Sequence, residues 1–522
     1  RRFTEPAPRI RRVRPEVPAG VEAALLRALA RAPEERFPSA AAFAAALAGT
    51  SAAPGAPARP EPRLPSVAVL PFVSLSTDAD NELFADGITE DVIAQLSKIR
   101  TLKVISRSSA MAFKNREQSL REIAETLEVA TLLQGSVRRA GQRVRIVAQL
   151  IDAEADRHLW AETYDRDLTD IFAIQSDVAL QIAAALRAEL TSDERTRIHR
   201  EPTSNLHAYR LYLQGRRWYS RYTEEGIWKG IEYFRQAIAA DPSFALAYVS
   251  VALAYAELAV GQGGGPTREA QAYGEAMAAI ERALALDDRS GEAHAVLALL
   301  KCAHDFDWAA AEREFKLALE LSPGAADAYD HYGWLCSALG RFDEAVELAR
   351  RAQELDPLMH RSDVATTLIR AGRYDEALES ALRAVEFDPD YARGRATLGW
   401  AYVMAGQPDT GIAELERAVE LAPGNTLYLG QLGEAYGLHG RVDDARRIQA
   451  QLEELAEQRY VSPYHLAYVH VGLGEQDRAM DMLERAYQEH AGSLYGIRGS
   501  FLFAPLREHP RFIALLKRIN LA

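Results

Sequence analysis

Gly340-Arg341-Phe342-Asp343-Glu344-Ala345 decides how this chain folds, because the sequence says it again and again. Gly372-Arg373-Tyr374-Asp375-Glu376-Ala377 repeats it almost letter for letter, and looser copies begin at Gly406, Gly440 and Gly474. Subtracting start positions gives intervals of 32, 34, 34 and 34 residues. A fixed period near 34 points to stacked helix pairs. Each glycine sits where a first helix must end, since it enters the left-handed region at no steric cost. The acidic residues that follow open the next helix, where negative charge meets the positive end of the helix dipole.

Other residues fall into the same register. Tyr329, Tyr332, Gly333 and Cys336 share one face of a first helix that ends at Gly340. Ala345, Ala349 and Ala352 line the inner face of a second helix that stops at Leu355-Asp356-Pro357. Small side chains allow two helices to approach closely, and Pro357 ends the helix because it lacks an N–H and clashes with the preceding turn. The copy closing at Pro423 carries Leu398, Gly399, Tyr402, Gly406, Ala418 and Leu421, with Gly411 where the others have Ala. On these residues the chain from about Leu206 onward resembles the tetratricopeptide repeat (TPR). That resemblance implies a mainly α fold: a right-handed TPR α-solenoid of about eight repeats over residues 205–491, closed by a capping segment at 492–522. It also implies a concave groove that takes protein or peptide ligands. Trp334 and Trp400 fall at the ninth position of their repeats, which faces that groove in TPR proteins; packing against a neighbouring helix is an equal alternative. On the same register Asp327, Asp330, Arg370, Arg393 and Glu434 are groove candidates. Their charges mix both signs and name no single ligand.

Composition sets the outer bounds. The 522 residues suit three or four units at about 150 residues each. The formal charge of −13 is unevenly spread. Residues 1–65 carry 11 basic and 6 acidic side chains (+5), residues 66–200 carry 17 and 21 (−4), and residues 201–522 carry 33 and 47 (−14). An acidic array is a poor surface for nucleic acid. No apolar run reaches the roughly 18 residues that span a bilayer, and no signal peptide is legible. Cys302 and Cys336 are the two cysteines, a count that fits a reducing, cytoplasmic setting. They lie 34 residues apart, at one position in successive first helices. Helix axes roughly 8–10 Å apart make them core thiols rather than a disulfide.

Ahead of the array the chain changes character twice. Residues 1–49 are rich in Arg and Ala, with helical patterns at 21–30 and 39–48. Between them, Ala28-Leu29-Ala30-Arg31-Ala32-Pro33-Glu34-Glu35-Arg36-Phe37-Pro38-Ser39 resembles the end of a bacterial Ser/Thr protein kinase domain. The arginine matching Arg36 has its glutamate partner in a motif absent here. The Gly-rich loop, the lysine strand, the catalytic aspartate and the Asp-Phe-Gly metal site are absent too. This chain is therefore expected to be no enzyme, with no catalytic residue, cofactor or metal of its own. Since it opens on Arg1, it is expected to be part of a longer protein, whose upstream portion could be an active kinase recruiting substrates through the array. Residues 50–65 read as a Pro/Ala-rich linker.

Residues 66–192 read as a small α/β unit. Expected strands are 66–73, 102–106, a hairpin of 131–139 and 143–152, and 158–164; expected helices are 80–99, 120–127 and 168–190. The wording SVAVLPF, FADGITEDVIAQLSKI, LQGSVRR and HLWAETYDRD resembles the TolB-like amino-terminal domain, whose ligand is unknown. Chemical motifs are absent elsewhere. The glycines at 261–265 have no following Gly-Lys-Ser/Thr and read as a loop, and the twelve histidines include no HExxH. The cluster Arg9, Arg11, Arg12 and Arg14 reads as a solvated surface. The combined expectation is a protein-binding scaffold in bacterial signalling; transcriptional regulation would need a DNA-binding domain that these residues do not contain.

Overall fold

The structure is a computed structural model that describes residues 14, 19–29, 64–75, 79–114, 118–141, 143–221, 223–260, 269–489, 494 and 496–522. It divides into two compact units, residues 1–64 and 65–522. In the first unit a helix runs over Ala19–Ala28. The kinase-like stretch at 33–39, the helical pattern at 39–48 and the glycine loop at 261–265 lie outside the described residues, as does most of the linker.

The second unit begins with a sheet in the order β3-β1-β4-β5-β6, with β2 paired to β4 off that path. The strands are β1 (Ser66–Val69), β2 (Val73–Ser74), β3 (Lys103–Val104), β4 (Thr131–Ala140), β5 (Arg143–Asp152) and β6 (Arg157–Asp167). β1 pairs in parallel with both β3 and β4, and β5 joins β4 and β6 antiparallel. The expected single strand over 66–73 is two strands instead. Pro71 has no N–H to give the ladder, and the next N–H, of Phe72, goes to the Thr89 hydroxyl at 3.0 Å. Helices Ala79–Leu96 and Ile171–Ala185 pack on the sheet, shorter than the spans expected at 80–99 and 168–190.

Eight helix pairs then follow among the described residues: Leu206–Tyr219 with Glu224–Ala240, Ala245–Val260 with Glu269–Leu286, Gly291–Leu300 with Trp308–Leu321, Ala326–Ala338 with Phe342–Leu355, Asp363–Arg370 with Tyr374–Phe387, Ala392–Met404 with Pro408–Leu421, Thr426–Leu438 with Val442–Gln458, and Pro463–Gly472 with Gln476–Gln488. Gly340 at φ +80° and Gly372 at +73° occupy the left-handed region at the ends of their first helices. Ala345 and Ala377 are fully buried, where helices meet too closely for a larger side chain. Cys302 and Cys336 are free thiols in the core.

The α/β part and the array are one body. A single hydrophobic core runs from Val67 through Ile182 and Phe234 to Leu300. Contacts recur along the turns between successive pairs. Asn205 Nδ2 donates to the Ala240 carbonyl at 2.8 Å and Arg200 to that of Leu286 at 3.2 Å. Arg197 donates to the Leu321 carbonyl and the Ser106 N–H to that of Leu355 at 2.8 Å. Each acceptor lies at or next to the end of a second helix, where the last carbonyls lack intrahelical partners. The Arg197 and Arg200 guanidiniums also meet the negative end of the dipole. Gly324 lies so near this edge that a Cβ there would stand 2.9 Å from Ser97 Cα.

A second core holds the later pairs together with the C-terminal segment. Phe501–Leu506 is a 3-10 turn and Pro510–Arg518 a helix. Phe503, Leu506, Phe512 and Leu515 are buried against the array. The segment reaches back to the third pair, where Trp308 Nε1 donates to the Ile519 carbonyl at 2.8 Å and Asn520 Nδ2 to that of Phe306 at 3.3 Å. Phe306 stacks on Tyr487 of the eighth pair, ring centroids 6.2 Å apart. The segment read as a terminal cap thus also ties two distant pairs together.

Candidate functional site: a polar cluster on the first-helix face

The seven candidates lie on four successive first helices, so the fold decides which of them meet. Five of the seven come together. Asp327, Asp330 and Trp334 lie on Ala326–Ala338, Arg370 ends Asp363–Arg370, and Arg393 lies near the start of Ala392–Met404. Trp334 Nε1 donates to Asp330 Oδ1 at 3.2 Å, and the Arg370 guanidinium lies over the Trp334 ring, 3.9 Å from its centroid. That geometry is a cation–π contact.

Two residues that the periodic reading passes over join them. His360 and Asp363 are 7% and 1% exposed. His360 Nδ1 faces Asp363 Oδ2 at 2.8 Å and Asp330 Oδ2 at 4.0 Å, while Nε2 faces Asp327 Oδ1 at 3.2 Å. Arg393 pairs with Asp363 Oδ1. Burial alone would push the His360 imidazole down; its hydrogen bonds to the Asp327 and Asp363 carboxylates and the charge of Asp330 outweigh it and lift it to about 11. Burial would likewise raise Asp363, but the Arg393 guanidinium and the His360 hydrogen bond hold its carboxyl low. Asp330 goes the other way, raised by burial and then by the charge of Asp363.

A sequence signal for this pair existed. The interval from Gly340 to Gly372 is two residues shorter than the rest, and the helix Asp363–Arg370 has 8 residues where the first helices on either side of it have 13. The shortening converts a first turn of helix into the His360–Ser362 connection and puts Asp363 at a helix start.

Trp400 and Glu434 are corrections. Both occupy the expected face, yet neither is offered to a partner. Trp400 is 3% exposed and meets the Phe501 ring edge-on at 5.2 Å. Glu434 is fully buried near Tyr464 and Tyr468, and burial raises its carboxyl well above the usual range. Neither its carboxylate oxygens nor Trp400 Nε1 finds a hydrogen-bond partner among the described residues. The physical reason is the C-terminal segment. Tyr468, one period beyond Glu434, stacks on Phe503 at 5.1 Å, so the later part of this face is already filled from within the chain. The cluster around His360 holds no paired nucleophile and base; it is built to hold charge.

Residues 326–357 and 368–432 match the tetratricopeptide repeat. Residues 63–180 match the second domain of HilA/YgeH-like transcriptional regulators. A protein named "Putative adenylate cyclase 3" from Rhizobium meliloti (strain 1021) is 38% identical over 251 residues, 47% of this chain and 42% of the relative. The chain therefore spans less than half of that relative's length. Among solved structures, the human IFIT1 dimer with PPP-AAAA is 14% identical at a TM-score of 0.39, over 62% of this chain and 79% of that one. The type IV pilus biogenesis factor PilW is 22% identical at a TM-score of 0.33, over 42% and 98%. No described helix is long and apolar enough to cross a membrane. The helical array is a TPR-type solenoid, and a small α/β part precedes it in the chain.

Proposed function

We propose that this chain is the partner-recognising part of a bacterial signalling protein, working in the cytoplasm, and that the polar cluster on the first-helix face receives a protein or peptide. One observation carries the reading: where the later first helices are covered by residues 501–506, the cluster still presents charge. The Asp327 and Arg393 side chains are 84% and 42% exposed, and Trp334 is half-buried beside them. A half-buried aromatic rimmed by charges of both signs suits a polar peptide with one apolar anchor. In the test, partners captured by the full chain are identified, purified and titrated against variants. Trp334→Ala is expected to weaken binding about thirtyfold, the effect of losing a hot spot of about 2 kcal/mol. Glu347→Lys and Glu379→Lys, exposed on second helices, should leave it unchanged. Equal affinity for Trp334→Ala and wild type would defeat the assignment.

A narrower reading makes the intact parent a Ser/Thr kinase that recruits substrates through the array, with the TolB-like wording of residues 66–192 between the two parts. The kinase-like stretch at 28–39 supports it. The relative named as a putative adenylate cyclase supports a signalling context without supporting that reaction. Purified chain with Mg²⁺ and ATP is expected to transfer no phosphate. An upstream coding sequence with the missing metal and base motifs would establish the kinase reading; one without them would end it.

A further inference from the structure

We propose that Asp330, His360 and Asp363 form a binding site for one divalent transition-metal ion, of which Zn²⁺ is the best match. All three residues are buried, and one oxygen or nitrogen from each lies within 4.8 Å of the other two. These inner atoms are Asp330 Oδ2, His360 Nδ1 and Asp363 Oδ2.

What separates this cluster from a simple knot of ion pairs is the outer shell. Each proposed ligand has its other polar atom held by a different residue. Trp334 Nε1 donates to Asp330 Oδ1 at 3.2 Å. Asp327 Oδ1 faces His360 Nε2 at 3.2 Å and so holds the ring with Nδ1, now 2.8 Å from Asp363 Oδ2, turned inward. Arg393 donates to Asp363 Oδ1. A carboxylate behind a histidine ligand, and donors behind carboxylate ligands, are the supports that orient metal ligands. Asp330 Oδ2 meanwhile stands 4.0 Å from Nδ1, too far to be its hydrogen-bond partner.

Charge agrees. Once His360 has given up its second ring proton, the groups in direct contact are three carboxylates and Arg393, so −3 + 1 = −2. A divalent ion neutralises that sum. It would take the place now held by the Nδ1 proton, which leaves to solvent on binding. An imidazole ligand with two carboxylates favours Zn²⁺ or Mn²⁺ over Mg²⁺ and Ca²⁺, which prefer all-oxygen shells. Around a tetrahedral Zn²⁺ with bonds of about 2.1 Å, ligand atoms stand about 3.4 Å apart. The Nδ1–Asp330 Oδ2 pair at 4.0 Å therefore draws in by about half an ångström, and the Nδ1–Asp363 Oδ2 pair at 2.8 Å opens by about as much. Three protein ligands leave a fourth position to water. His360 and Asp363 also fall in residues 358–367, between the two stretches that match the repeat family, where the chain has set the repeat pattern aside.

The test uses the full chain, stripped with chelator and titrated with Zn²⁺ by calorimetry. One ion per chain is expected. His360→Gln and Asp363→Asn should abolish saturable binding. Asp330→Asn, which keeps an acceptor for Trp334, should do so without loss of helicity. Asp327→Asn should weaken binding about 10–100-fold, and Asp343→Asn, 98% exposed, should not change it. No saturable one-to-one binding by wild type overturns the proposal. So does Zn²⁺ binding that survives both His360→Gln and Asp330→Asn.

Discussion

Two parts of this chain dock on the same array, and they use opposite chemistry. The α/β part and the short segment that follows it run along the turns between pairs and are held largely by donors aimed at backbone carbonyls at helix ends: those of Leu286, Leu321 and Leu355. The C-terminal segment crosses the first-helix face and is held largely by rings: Phe501 on Trp400, Phe503 on Tyr464 and Tyr468. Every helix pair of a solenoid offers both surfaces, a row of unsatisfied carbonyls at its edge and an apolar stripe along its face. Covering one asks for precise donors, covering the other for bulk.

The contrast predicts where damage is largest. Phe503→Ala removes a fully buried ring from the aromatic side and is expected to cost about 3–5 kcal/mol, read from chemical denaturation. A cost below about 1 kcal/mol would mean the segment merely rests on the array. On the carbonyl side, Arg197→Ala deletes a charged donor whose side chain is 11% exposed, for roughly 1.5–3 kcal/mol. Arg200, 49% exposed, makes the same kind of contact at the neighbouring turn. Its alanine variant should cost less than about 1 kcal/mol. Equal costs would show that the pairing of donor and carbonyl, rather than burial, sets the strength of this edge. Gly324→Ala should cost about 1–3 kcal/mol by pushing on Ser97, and faster proteolysis within residues 186–205 would report the loosened dock.

A last test separates the regions by pH. Asp91, at the junction with the first pair, accepts from Gln175 at 2.8 Å and from Tyr209; burial outweighs these bonds and pushes its carboxyl up to about 7. The folded state then binds the extra proton, so this group's contribution is full below about pH 3.9 and is lost as pH rises through 7. Glu312 is the reverse. Burial would raise it, but Lys316, Arg341 and Tyr332 hold it down to about 2. Its contribution is present above about pH 4.3 and is lost as pH falls towards 2. In melting curves between pH 2 and pH 8, both variants should therefore track wild type near pH 2 and part from it in opposite senses as pH rises: Glu312→Gln falls below wild type by about pH 4, and Asp91→Asn rises above it towards pH 7. Parallel curves would defeat both assignments.

The helix pairs were legible because their causes are local. Gly340 and Gly372 need a left-handed turn, and Ala345 and Ala377 need to be small; each requirement is met within one repeat. The position of Trp400 was legible as well, but its fate was not, because Phe501 lies 101 residues away and no period links them. His360 and Asp363 escaped for another reason: they sit where the repeat is broken, and a reading by period looks past its own exceptions. The α/β dock was hidden most deeply. Its acceptors are carbonyls, which every residue has, so no residue type marks them in the sequence.

The contact between Trp308 and Ile519 changes the kind of polymer this array is. An open solenoid behaves as a line of units, each aware only of its neighbours, and it frays from its ends. Joining residues 211 apart in sequence turns the stretch between them into a ring, which has no free end at which fraying can begin. Closing it carries a loop-entropy cost that grows only slowly with length, but the closing contact has to wait until distant residues meet, and such contacts slow folding. Amide exchange should accordingly find the Trp308–Leu321 and Gln476–Gln488 helices opening together, like two links released by the same clasp.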